Sequence, residues 1–177
     1  MRKLLLILLM LLLPTICLSC VFSKGNEQKN WQTYADKVFN FTIQYPVNWR
    51  IEFWKHGKDV KSLPSQNFGR LADYSNESVI YFNVYEFEEG DSLEHFISVS
   101  KPDRLFFKET KELGKVTAIR TGVHWYLEDG ESYELRQSMI IDGYFLDLTA
   151  GLPQESIEKK DDKYKLILEI MDTFKKL

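Results

Sequence analysis

The sequence predicts an α+β domain of antiparallel strands, carried behind a short apolar leader. Three observations predict it. Apolar and polar side chains alternate at period two in several stretches, two chain reversals carry an Asp-Gly pair, and the last apolar stretch repeats at helical spacing. The first strand begins just after Val38, with Phe39, Phe41, Ile43 and Tyr45 on one face and Asn40, Thr42 and Gln44 on the other. Pro46-Val47-Asn48 turns the chain, and Trp49, Ile51 and Phe53 then alternate with Arg50 and Glu52. Trp54 points away from that face, beside His56, and reads either as packing under a further layer or as an exposed aromatic contact. Residues 55–77, with Gly57, Pro64, Gly69 and many polar side chains, read as loop.

Val79 to Phe87 reads as another strand, aromatic on both sides. Asp91 and Ser92 precede Leu93, Phe96 and Ile97, the pattern of a short capped helix. One irregular strand and two hairpins follow Pro102. Tyr164, Ile167, Leu168, Met171 and Phe174 then mark a closing amphipathic helix, with Asp161 and Asp162 at its start and Lys175 and Lys176 at its end, the charge order that the helix dipole favours.

Turn chemistry sets the hairpin registers. Asp142-Gly143 fits a two-residue type I′ turn, which places Ile141 opposite Tyr144, Met139 opposite Leu146 and Gln137 opposite Leu148. For the preceding hairpin, a two-residue turn at Asp129-Gly130 would set Trp125 against Glu134. A three-residue loop ending in Gly130 instead pairs Trp125 with Tyr133 and Val123 with Leu135, and is preferred because a one-residue slip exchanges the faces. The other face then gathers His124 beside Glu134, Arg136 beside Thr149, and a row of Arg120, Ser138 and Asp147.

The leader is a different polymer. Nine of the 22 leucines lie in the first 18 positions, behind Arg2 and Lys3, and the apolar run from Leu4 to Leu13 is short for a membrane span. Its end, Cys17-Leu18-Ser19-Cys20, resembles a bacterial lipobox with Cys20 as the acyl acceptor, although Cys17 stands where leucine is usual. Ordinary signal-peptide cleavage is the competing reading. Residues 1–19 are thus expected to be a signal peptide, 20–33 a polar tether, and 34–177 the globular domain. Without Arg2 and Lys3 the remainder carries 21 basic against 26 acidic residues, a net −5, which excludes a generic nucleic-acid binder. Acylation of Cys20 with removal of Cys17 leaves no free thiol and no disulfide framework.

Phe39-Asn40-Phe41-Thr42-Ile43-Gln44-Tyr45-Pro46-Val47-Asn48-Trp49 resembles the opening strand and Tyr-Pro-x-x-Trp turn of PsbP-like domains. The two late hairpins and the closing Ile170-Met171-Asp172-Thr173-Phe174-Lys175 look like the end of the same family. The resemblance covers roughly residues 34–177. It implies an α/β/α sandwich around an antiparallel sheet of about six or seven strands and a non-enzymatic role, and it carries over no functional residue.

Gly90-Asp91-Ser92-Leu93 spells the nucleophile block of GDSL-type esterases, but no histidine follows His124 to serve as the late base, so Ser92 reads as a helix cap. His56, His95 and His124 show no zinc-like spacing, the acidic runs lack an EF-hand pattern, and no cofactor is expected. The constellation that the sequence assembles is Arg120, His124, Glu134, Arg136, Ser138 and Asp147. It reads either as a ligand or partner patch whose guanidinium groups await an anion, or as a covered sheet face held by cross-strand charge pairs. The expected protein is a bacterial lipoprotein, anchored to a membrane through Cys20 (secreted if not acylated) and binding a protein partner in the envelope. A carrier of a small ligand or cation in a pocket of the sandwich and a Ser92 esterase are the alternatives.

Overall fold

The computed structural model describes residues 30–53, 65–75, 77–86, 92–100, 102–128 and 130–177. Cys17, Cys20, Trp54, His56, Gly90 and Asp91 lie outside them. The architecture belongs to the unit Trp31–Leu177. Its elements are β1 (Trp31–Asp36), β2 (Phe41–Pro46), β3 (Arg50–Phe53), β4 (Ser65–Asp73), β5 (Ser78–Glu86), α1 (Leu93–Ser100), β6 (Arg104–Leu113), β7 (Val116–Leu127), β8 (Gly130–Ile141), β9 (Tyr144–Gly151), α2 (Gln154–Lys159), α3 (Asp162–Asp172) and β10 (Lys175–Lys176). Among the described residues these strands form an antiparallel seven-stranded sheet, ordered β3-β4-β5-β9-β8-β7-β6, and a three-stranded sheet, β1-β2-β10.

The large sheet has two unlike faces. On the first, Leu71, Ile80, Phe82, Met139, Leu146 and Leu148 are buried against α3 and the small sheet. Phe41 of β2 stacks on Phe82 at 6.0 Å and on Phe174 at 4.9 Å, and Tyr34 stacks on Phe53 at 4.8 Å. Alternation along β2 makes this possible: Phe41, Ile43 and Tyr45 are buried and Gln44 is exposed. The second face meets α1, whose Leu93 lines a cleft with Thr110, Ile119 and Ile140. The expected sandwich is therefore dominated by sheet, because a second sheet shares with α3 the layer over the first face.

Both edges of the large sheet use one device. The ring of Phe53 on β3 lies over Gly69, and the ring of Phe107 on β6 lies over Gly122, so closely that a Cβ would fall 2.3 Å and 2.5 Å from a ring carbon. A glycine on the inner strand lets the edge aromatic lie flat on the backbone.

Several expectations hold. Asp142 (φ 48°) and Gly143 (φ 81°) supply the two positive φ angles of a type I′ turn, and the pairs Ile141–Tyr144, Met139–Leu146 and Gln137–Leu148 follow. Ser92 Oγ accepts the His95 N–H at 3.0 Å, and Asp161 accepts the Tyr164 N–H at 2.9 Å to cap α3.

Four expectations are corrected. Strand β1 starts at Trp31, inside the expected tether, and pairs along its whole length with β2. Residues 65–73, read as loop, form β4 between β3 and β5, with a bulge between Asn67 and Gly69. The closing helix ends at Asp172 instead of running through Lys176. There Thr173 Oγ1 accepts the Gln44 N–H at 2.8 Å, after which Lys175 and Lys176 pair with Thr42 and Phe41 as β10. The hairpin between β7 and β8 is the fourth correction, and it decides the geometry of the site.

Candidate functional site

Leu127 pairs with Gly130, so residues 128–129 connect β7 to β8. This register lies one residue away from the expected three-residue loop. Val123 pairs with Glu134, His124 with Tyr133, and Arg120 with Gln137. A one-residue change moves a strand's side chains to the other face relative to its neighbour. The six residues expected to form one patch are consequently divided between two faces.

Arg120 and His124 belong to the core face. Arg120, with 1% of its side chain exposed, donates to Asp172 at 2.7 Å, to Glu109 at 3.3 Å and to Gln137. Gln137 in turn donates to the carbonyl of Met171 at 2.9 Å, so two side chains of the sheet hold the last turn of α3. Among the described residues Arg120 Nε has no hydrogen-bond partner. His124 is buried, stacks on Tyr133 at 4.4 Å, and has its Nε2 3.6 Å from Glu131 without a hydrogen bond.

Glu134, Arg136, Ser138 and Asp147 come together on the opposite face. The fully buried carboxylate of Asp147 accepts from Arg136 Nη2 at 2.6 Å, Arg136 Nε at 3.1 Å, Ser138 Oγ at 2.7 Å and Thr149 Oγ1 at 3.0 Å. Burial works against the charge of Arg136, but the neighbouring Asp147 outweighs it and holds the guanidinium above its ordinary pKa. The pair fills its own needs, as a buried ion pair must to repay desolvation.

Beside this pair opens a cleft of about 270 Å³, walled by Trp125, Tyr85 and Leu127 and floored by Asn83, Glu134 and Arg136. Glu134 accepts the indole N–H of Trp125 at 2.9 Å. Burial pushes its carboxyl up, although nearby Arg136 pulls the other way. Asn83 Nδ2 donates to Thr149 at 3.3 Å, and the ring of Tyr85 meets Phe145 edge-on at 5.9 Å. Sequence reasoning found Glu134 and Arg136 but missed Trp125, Asn83 and Tyr85. The expected register places Trp125 on the apolar face, while Asn83 and Tyr85 sit on β5, which joins these strands only through its pairing with β9.

Among the described residues no three His, Cys, Asp or Glu side chains converge to hold a metal, and no helix is long and apolar enough to cross a membrane.

A long antiparallel sheet with α3 and a small sheet on one face and α1 on the other is a PsbP-like fold. The solution structure of cyanobacterial PsbP (CyanoP) from Synechocystis sp. PCC 6803 matches it with a TM-score of 0.60 and 12% identity, covering 90% of this chain and 99% of that one. LpqN, involved in cell envelope biogenesis of Mycobacterium tuberculosis, gives a TM-score of 0.45 at 13% identity, covering 80% of this chain and 90% of that one. A Bacteroides thetaiotaomicron protein gives 0.47 at 10% identity, covering 82% of this chain, which spans 48% of that one. No family model and no curated protein matches the sequence.

Proposed function

We propose that the chain is a non-enzymatic binding module of the bacterial cell envelope, held at a membrane by acylation of Cys20. The observation that carries the binding reading is the saturation of the polar site. Asp147 spends its carboxylate on four hydrogen bonds, and Ser92 Oγ caps α1 with no base hydrogen-bonded to it among the described residues, so neither is arranged as a base or a nucleophile. The membrane reading rests on the leader, where a positive start and a short leucine-rich run end at Cys20. Two acyl chains on one cysteine suffice for stable anchoring where a single chain does not. The PsbP-like fold supports a module of this kind without specifying its ligand.

Metabolic labelling with palmitate in a bacterial host tests the attachment. Label is expected on the wild-type chain, which should fractionate with membranes, and should vanish in Cys20→Ser. Persistent labelling of that variant would refute acylation at Cys20.

A further inference from the structure

One of the two sequence readings of this patch offers its guanidinium groups to an anion, but the geometry reverses the sign. Arg136 already has its counter-ion, since both Nε and Nη2 bond Asp147, which is fully buried and belongs to the neighbouring strand. The cleft's remaining formal charge is Glu134. Among the described residues it makes no salt bridge: the Trp125 indole N–H donates to it, the Ser132 side chain stabilises its charge, and the Arg136 charge that attracts it is already matched by Asp147. A partly buried carboxylate is normally paired, because removing it from water costs more than neutral donors return. This one, which shares Arg136 with the closer Asp147, stands on the floor of an open cleft.

The other walls fit a cation. Trp125, whose ring already attracts the Arg136 guanidinium at 6.0 Å from its centroid, and Tyr85 line it with aromatic surface, which draws a positive charge through the ring quadrupole. Asn83 commits its Nδ2 to Thr149, which leaves its Oδ1 as an acceptor. An acidic group and an amide oxygen together can accept two hydrogens from one nitrogen. A volume of about 270 Å³ suits an alkyl chain bearing one such nitrogen and is small for a larger ligand.

We propose that this cleft binds a primary alkylammonium group, with Glu134 as its counter-ion and Trp125 as its aromatic wall. This deepens the binding reading of the chain and is independent of attachment at Cys20.

The indole N–H resonance of Trp125, identified by its loss in Trp125→Phe, reports on the site in the full-length chain held in neutral detergent. Titration with 1,4-diaminobutane should shift it saturably. Glu134→Gln keeps an acceptor for the indole and should weaken the response at least tenfold, while the rest of the spectrum stays native. Butyrate, an anion of similar size, should leave the resonance unmoved. Phosphatidylethanolamine molecules carried in the detergent micelles form a further arm. A stronger response to them than to the free diamine places the ammonium on a lipid headgroup, a weaker one on a soluble amine, and both support Glu134 as the counter-ion. No saturable shift, a shift that survives Glu134→Gln unchanged, or a response to butyrate in place of the diamine would overturn the assignment. Failure here leaves palmitate labelling of Cys20 untouched, and loss of that labelling leaves the titration valid.

Discussion

Arg120 and Arg136 leave adjacent strands toward opposite faces of one sheet, both largely buried, and their counter-charges lie in different places. The charged partners of Arg120 come from outside its strand pair with β8: Asp172 at the end of α3, half exposed, and Glu109 on the edge strand β6. Asp147, the partner of Arg136, sits on the next strand and is fully buried. The first arginine therefore fastens a helix to the sheet. The second fastens the sheet to itself, which leaves the surface above it free to be a cleft. A buried cation in a sheet serves tertiary assembly or site construction according to which element carries its partner.

Removing the counter-charge separates the two most sharply on the cleft face. Asp147→Ala strands Arg136 in a position with 12% of its side chain exposed, and should cost about 3–5 kcal/mol in urea denaturation. If the charge imbalance and not the lost carboxylate is responsible, Asp147→Ala combined with Arg136→Met should recover most of that loss. On the core face, Arg120→Met returns a half-exposed Asp172 to water and keeps apolar volume in place. The expected cost is about 1.5–3 kcal/mol, the range for hydrogen bonds to charged groups, and urea denaturation of the two variants side by side checks the order. A larger loss for Arg120→Met than for Asp147→Ala would break the distinction.

The smallest effect has the opposite sign. Burial raises the Glu134 carboxyl above its ordinary value, with Arg136 lowering it and Asp147 raising it further. Between the unfolded value of about 4.3 and the raised native one, the native state holds a proton that the unfolded chain has released, so stability falls as pH rises through that window. Glu134→Gln should remove this slope and modestly stabilise the protein at pH 7, by less than either loss above. Denaturation midpoints from pH 4 to 7 check it. A variant that loses the site and gains stability is the expected mark of a group kept for binding.

How much of this was legible in the sequence follows from how each face is covered. β2 has one wet face, so Phe41, Ile43 and Tyr45 announce the strand and its orientation. The Asp142-Gly143 turn has φ requirements that few residue pairs meet, and the β8–β9 register was readable from them. Along β7 both faces are covered from Ala118 to His124, so burial loses its alternation and parity no longer tells one register from its neighbour. The site was half legible for that reason: Glu134, Arg136, Ser138 and Asp147 do gather, but Arg120 and His124 face the core. β4 was illegible on other grounds. Ser65-Gln66-Asn67 and Gly69-Arg70 have little strand preference, and neighbours on both sides impose the conformation. The closing helix was read too long because Lys175 and Lys176 suit a helix end as well as a strand. Nothing local reports that Thr173 is claimed by the backbone of β2.

The small sheet sets an order of events. Its middle strand, β2, is flanked by β1, its neighbour in sequence, and by β10, contributed by Lys175 and Lys176. The first pairing closes a short loop, whereas the second must draw together opposite ends of the domain, and such non-local closure comes slowly. A chain emerging from its amino end first can zip β1 onto β2 early. Phe41 must wait for Phe174 before its second stacking partner arrives. The core layer is therefore finished by Phe174 and β10, which follow every other element of the domain in sequence.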